Sequence, residues 1–330
     1  MRRKIYVLIN VLLIALIMGA GLLLTKYHLI VDQLGKDLKS LDVSMYRKPT
    51  DKAVSDEQAV WLISYADGDE FYQSRIYALM HSALGKDIDH ILTYKREHIE
   101  PEFYQAHKAI LDEKRGAGYW LWKPYFIYKT LKMMAEGDYL IYVDASFVVR
   151  GPVKPLIDLA EQHGMVFFSS ENYSNKGYVK REAIEFFGVD YEQFKDSKQI
   201  AGGILVFKNT PQTRQKVEEW FSYAKRPELL TDQGSRVDEY HDFVDHRHEQ
   251  SILNLMQFKQ PFGHVVMADS SQGIYHPSLT LHHPYNFKSW PSSFVAHPVF
   301  FEQKTRLQKK FYKIYREWIE VHYKTEFLQP

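Results

Sequence analysis

Asp144 closes the apolar run Asp138-Tyr-Leu-Ile-Tyr-Val-Asp144 and is followed by the small residues Ala145 and Ser146. A carboxylate at the carboxyl end of a buried strand in an open α/β sheet lies where such sheets bind ligands. Capping of the following turn is the alternative role for such an Asp. Upstream, Trp120 and Trp122 alternate just before Lys123 and Pro124. That spacing suits either core packing or an aromatic wall for a base or sugar ring, with core packing expected for one of the two. Lysine is usually a solvated surface residue, so a lysine inside this apolar segment is a candidate to face an anion. A third cluster runs from His241 through Asp242, Asp245, His246 and His248 to Glu249. On a helix, His241, Asp245 and His248 would share one face. A metal-dependent hydrolase would be the corresponding reading, yet no HExxH or other zinc-hydrolase spacing is present.

These groups need elements to hold them. Ala59-Val-Trp-Leu-Ile-Ser-Tyr65 fits a buried parallel strand, and Asp67-Gly68-Asp69 a turn after it. A helix is predicted over about 71–84 with Gly85 as its stop, then a strand at His90–Tyr94. With the strand ending at Asp144, this is the βαβ rhythm of a doubly wound sheet, whose carboxyl-end crevice would take a nucleotide. Beyond it, helices are predicted at about 155–163, 180–187 and 213–224, and strands at 165–169 and 204–207. The polar stretch 227–245 reads as a mobile loop over the site. The last segment, 300–327, reads as a closing helix with Phe311, Tyr315 and Trp318 near one face.

Gly118-Tyr-Trp-Leu-Trp-Lys-Pro124, followed by a helix and then Tyr142-Val-Asp-Ala145, resembles glycosyltransferases of the GT-A superfamily. Three later segments fit this resemblance. Gln199–Asn209 looks like the strand beside the acceptor site, and Glu249-Gln-Ser-Ile-Leu-Asn254 like a DQxxLN-type helix start. His282-His-Pro-Tyr-Asn-Phe-Lys288-Ser-Trp290 is similar to the HxxGxxKPW element of retaining, glycogenin-like transferases, departing from it at Tyr285 and Ser289. The resemblance spans roughly 57–295 and implies a GT-A-like (Rossmann-like) mixed sheet flanked by helices. It also implies transfer of a sugar from a nucleotide-diphosphate donor to a glycan or glycolipid. By the same resemblance Asp144, Glu249 and Gln250 would be catalytic, while Asp67, Trp122, Lys123, Lys180, Arg181, Lys288 and Trp290 would contact the donor. A divalent metal, Mn²⁺ or Mg²⁺, would be held by Asp144 with His282 or His283 and phosphate oxygens. Where the DxD pair of such enzymes has its second carboxylate this chain has Ser146, which puts metal dependence in question. A nucleotide- or glycan-binding protein on the same fold, without catalysis, is the alternative.

The 330 residues carry a net charge of +1, so no global field draws nucleic acid, and the absence of cysteine excludes disulfides and thiolate metal sites. Residues Ile5 to Thr25 hold no charge, follow Arg2-Arg3-Lys4, and are about long enough to cross a bilayer. The expected organisation is a short tail at 1–4, a transmembrane anchor at 5–25, a polar stem at 26–56, a catalytic domain at 57–299 and a terminal helix at 300–330. A cleaved signal peptide is the alternative for the first segment. The leading basic cluster favours a cytosolic amino terminus. The catalytic domain would then face a Golgi-like lumen in a eukaryote or sit at the inner membrane of a bacterium.

Overall fold

A computed structural model describes residues 45–47, 58–68, four positions between 76 and 83, 86–145, 147–149, 152–233, 237–268 and 281–282. All of them belong to one compact unit, Val43–Arg316. The expected anchor, the terminal helix, and Ser146, His283, Lys288 and Trp290 lie outside the described residues, as does the expected stem at 26–56 except Met45–Arg47, which is a strand paired with His90–Leu92 rather than linker. Among the described residues, no helix is long and apolar enough to cross a membrane.

The strands are β1 (Met45–Arg47), β2 (Val60–Tyr65), β3 (His90–Tyr94), β4 (Tyr139–Val143), β5 (Val148–Val149), β6 (Met165–Ser174), β7 (Lys198–Lys208), β8 (His264–Ala268) and β9 (Leu281–His282). Seven form a mixed sheet in the order β1-β3-β2-β4-β7-β6-β8, and β5 pairs with β9. Strands β3, β2 and β4 are mutually parallel; β7 runs against both β4 and β6, and β6 is parallel to β8. The carboxyl ends of β3, β2, β4, β6 and β8 therefore share one edge with the amino end of β7. The chain leaves β2 toward β3 and returns to its other side as β4, so the order reverses at β2. Open α/β sheets form their ligand crevice at such a switch point.

Strand residues alternate between two apolar layers, as a period of two requires. Leu140 and Tyr142 of β4 face one layer with Ile63, Tyr65, Leu205 and Phe207. Ile141 and Val143 face the other with Leu62, Ile204 and Val206. The first layer is covered by α1 (Pro101–Ala106), α2 (Lys108–Leu111), α3 (Trp122–Met133), α5 (Arg181–Phe187), α6 (Tyr191–Phe194), α7 (Pro211–Ala224), α8 (Pro227–Leu230) and α9 (His248–Lys259). The second is covered by α4 (Lys154–His163) and by helical Ile76, Leu79, Met80 and Ala83, which sit in the helix expected at 71–84. Asp138 anchors the base of the sheet: it accepts from Ala59 N at 2.9 Å and from Trp61 Nε1 at 3.0 Å.

Two expectations are corrected. The segment 241–247 is turn and irregular chain, and the helix begins only at His248, so His241, Asp245 and His248 share no helical face. Arg115 takes Asp245 at 2.7 Å, and among the described residues no cluster could hold a metal ion. The polar stretch from Pro227 is also not wholly irregular, because α8 occupies Pro227–Leu230.

Candidate active site

Lys123, Asp144 and Glu249 meet at the carboxyl edge of β4. Lys123 Nζ donates to Glu249 Oε1 at 2.5 Å and lies 3.8 Å from Asp144 Oδ1. The Lys123 and Glu249 side chains are almost wholly buried, while that of Asp144 is 36% exposed. Asp144 N bonds Gly203 O at 2.9 Å, which ties the carboxylate to β7. Gly202, the neighbour of Gly203, leaves the space above the pair open. A Cβ there would stand 3.1 Å from Lys123 Nζ and 3.4 Å from both Glu249 Oε1 and Gln250 Oε1. Glycine inside a central strand commonly marks such a close approach.

Helix α9 delivers Glu249 and Gln250 and is locked to the sheet by Asn254. Its side chain accepts from Ile200 N at 2.7 Å and donates to Ile200 O at 3.2 Å, satisfying both backbone groups of one β7 residue. Trp220 Nε1 donates to Glu249 O at 2.8 Å, and Gln250 Nε2 donates to Gln199 Oε1 at 3.2 Å.

Lys123 is delivered by an unusual turn. Gly116, Ala117, Gly118, Tyr119 and Trp120 have φ of 58°, 52°, 102°, 50° and 58°, five consecutive left-handed residues. The left-handed conformation costs L-residues about 1–2 kcal/mol each, so Ala117, Tyr119 and Trp120 are held there by their surroundings. Trp122 Nε1 donates back to Gly116 O at 2.9 Å. A Cβ on Gly118 would come within 2.8 Å of Leu111 Cα, so the turn packs against α2 backbone to backbone. Trp120 stacks on His248, with ring centroids 5.2 Å apart. His248 is itself left-handed, with φ of 53°, and immediately precedes Glu249. Two strained backbones thus meet ring to ring, one ahead of each partner in the buried ion pair. Backbone strain of this kind persists only where the surrounding structure enforces it.

A second polar cluster clamps the end of α8. His246 Nε2, His248 Nδ1 and Lys180 Nζ donate to the carbonyls of Leu229, Leu230 and Thr231 at 2.9, 2.8 and 3.0 Å. Burial holds the His246 imidazole neutral, well below its usual range, and lowers the pKa of the Lys180 ammonium.

The expected donor contacts are redistributed by this packing. Lys180 is buried, with its Nζ donating to the Thr231 carbonyl. Arg181 pairs with Glu185 at 2.6 Å and lies over the Tyr240 ring. Trp122 is core rather than an open wall, stacked on Tyr65 with centroids 4.0 Å apart. Lys123 is enclosed by two carboxylates instead of standing free in the crevice. Asp67, at the end of β2, accepts from Arg96 Nε at 2.7 Å. The described part of His282 is its backbone, paired with Val148 four residues beyond Asp144. Sequence reasoning named Lys123 and Glu249 separately and missed their pairing. The available signal was a lysine in an apolar run, which requires a buried counter-charge.

Burial raises the Glu249 carboxyl, Lys123 pulls it back, and Asp144 pushes it up again, leaving it at about 7 against an ordinary 4.5. Burial pulls the Lys123 ammonium down, but the two carboxylates outweigh that and leave it above its usual range. The Glu249 shift has a measurable sign. The folded state holds the proton more tightly than the unfolded chain, so its stabilising contribution is complete below about pH 4.5 and is lost as pH rises to about 7. Wild type should lose up to about 3 kcal/mol relative to Glu249→Gln across that window. Denaturant midpoints of both proteins at pH 5 and pH 8 check this; equal differences at the two pH values would refute it.

No family model and no curated protein matches the chain. Among solved structures, it is similar to apo mouse xyloside xylosyltransferase 1, with 10% identity, 68% of this chain and 97% of that chain covered, and a TM-score of 0.40. It is similar to the galactosyltransferase LgtC in complex with donor and acceptor sugar analogues, with 14% identity, 78% and 95% covered, and a TM-score of 0.37. The apo glycosyltransferase GlyE of Streptococcus pneumoniae TIGR4 gives 13% identity, 81% and 64% covered, and a TM-score of 0.37. These likenesses are slight, and the functional reading rests on the chain's own residues.

Proposed function

We propose that the chain is a GT-A-type glycosyltransferase that moves a sugar from a nucleotide-diphosphate donor to a glycan or glycolipid. The observation that carries this reading is the convergence of Asp144, Lys123 and Glu249 at the carboxyl edge of β4, beside the switch point of the sheet. Pairing of β9 with β5 supports it, by bringing the start of the His282–Trp290 motif next to the segment that follows Asp144. In this mechanism Asp144 faces the donor from the strand end, and the buried Lys123–Glu249 pair fixes its surroundings. Gln250 presents its carboxamide beside the bare Gly202. Charge developing on the leaving diphosphate must meet a cation or fixed donors. A divalent metal would supply that charge neutralisation when bound. Asp144 offers it one carboxylate among the described residues, so the remaining ligands would come from phosphate oxygens and from His282 or His283. Retention of anomeric configuration, a membrane anchor at 5–25 and placement of the domain beside a membrane belong to the same proposal.

The test is full-length protein in detergent, incubated with a panel of nucleotide-sugars with and without Mn²⁺. Binding of one donor and its slow hydrolysis are expected. Failure of every donor to bind or react would sink the proposal. A single partly exposed carboxylate in the described site favours a second reading, a nucleotide- or glycan-binding protein on this fold. Donor affinity without turnover on any acceptor would select it.

A further inference from the structure

Asp144 has two oxygens in unlike surroundings. Tyr142, two residues earlier on β4, donates its hydroxyl to Oδ1 at 2.5 Å, and Lys123 Nζ stands 3.8 Å from the same atom. Oδ2 lies on the side of Gly203, where a Cβ would come within 3.2 Å of it. The Tyr142 ring is buried, with the Lys123 ammonium 5.4 Å from its centroid. One oxygen is thus engaged from inside the sheet, and the other rests beside Gly203 and the Phe147 ring, in room that a side chain at 203 would take. An alternating strand would normally send residues 142 and 144 to the same layer. Tyr142 obeys that rule, and its hydroxyl reaches along the strand to the carboxylate just past the strand end.

Resting on the glycosyltransferase reading, we infer that Tyr142 is a positioning residue that occupies Oδ1 and reserves Asp144 Oδ2 as a single oxygen for the donor or its cation. A carboxylate free to rotate would offer either oxygen, or both, to a ligand; one pinned at Oδ1 offers a fixed direction. Such preorganisation is what a charge-stabilising group needs, since it then makes no rearrangement when the ligand arrives.

The experiment uses full-length wild type, Tyr142→Phe, Asp144→Ala and the double variant. Two quantities are read: affinity for uridine and guanosine diphosphates with Mn²⁺, and the orientation of the Asp144 carboxylate in a crystal structure of Tyr142→Phe. Phenylalanine keeps the buried ring, so the fold should stand. The expected result is a turned carboxylate and roughly tenfold weaker nucleotide binding, with no further loss when Tyr142→Phe is added to Asp144→Ala. A loss that persists in the Asp144→Ala background would mark a merely structural tyrosine and overturn the assignment. An unturned carboxylate with wild-type affinity would overturn it as well. Should wild type bind neither of these nor any donor of the nucleotide-sugar panel, the transferase reading falls, and the carboxylate orientation alone decides the role of Tyr142: turned supports it, unturned refutes it.

Discussion

Lys123→Met is expected to destabilise the fold by about 3–5 kcal/mol, the usual consequence of removing one partner from a buried ion pair. The pair lies 126 residues apart in sequence and is almost wholly out of solvent. Without the ammonium, Glu249 would face Asp144 with nothing between them. The carboxyl already takes up protons near neutrality, so the damage should be greater at pH 8 than at pH 5. Adding Glu249→Leu should recover most of the loss, because two apolar side chains leave no stranded charge. Denaturant unfolding of the single and double variants at both pH values measures this. A single variant within about 1 kcal/mol of wild type at pH 8 would show that the pair contributes little to the fold.

Asp144→Asn should have the opposite profile. The side chain is partly exposed, and an asparagine oxygen can still accept from Tyr142, so the thermal midpoint should move by only a few degrees. On the proposed glycosyltransferase reading, sugar transfer should fall roughly 100-fold or more, as expected when a preorganised charge is removed from a reacting centre. Because the Asp144 charge also helps raise Glu249, the variant should shift the Glu249-dependent pH transition to lower pH. Transfer at the wild-type rate would remove Asp144 from the chemistry. A large loss of fold would instead make it a structural capping residue.

The strands at the heart of the site were readable from composition alone. Val60–Tyr65, His90–Tyr94 and Tyr139–Val143 are short apolar runs bounded by turn formers, and burial on both faces of a parallel pairing writes that pattern directly. Asp144 was legible for the same reason, as a charge where the apolar run stops. The antiparallel course of β7 was not legible, since a continuous apolar strand does not reveal its direction. The histidine-rich segment, whose spacing would fit one helical face, has its residues committed elsewhere: Asp245 to Arg115, His246 to Leu229 O and His248 to Leu230 O. Tertiary packing separates the basic pair at 180–181 in a way that its spacing does not reveal, burying Lys180 and leaving Arg181 outside.

The left-handed run from Gly116 to Trp120 was invisible to any pattern of hydrophobicity, and it carries a consequence for how this chain can vary. A right-handed helix tolerates insertion of a whole turn with little change of facing. A counter-wound turn closed by Trp122 onto its own first carbonyl, and wedged against α2, has no equivalent slack. The count of residues between Gly116 and Lys123 is therefore a fixed dimension of the molecule, like the throw of a crank. Side chains along it can be exchanged, but adding or deleting one swings the ammonium out of line with its carboxylate.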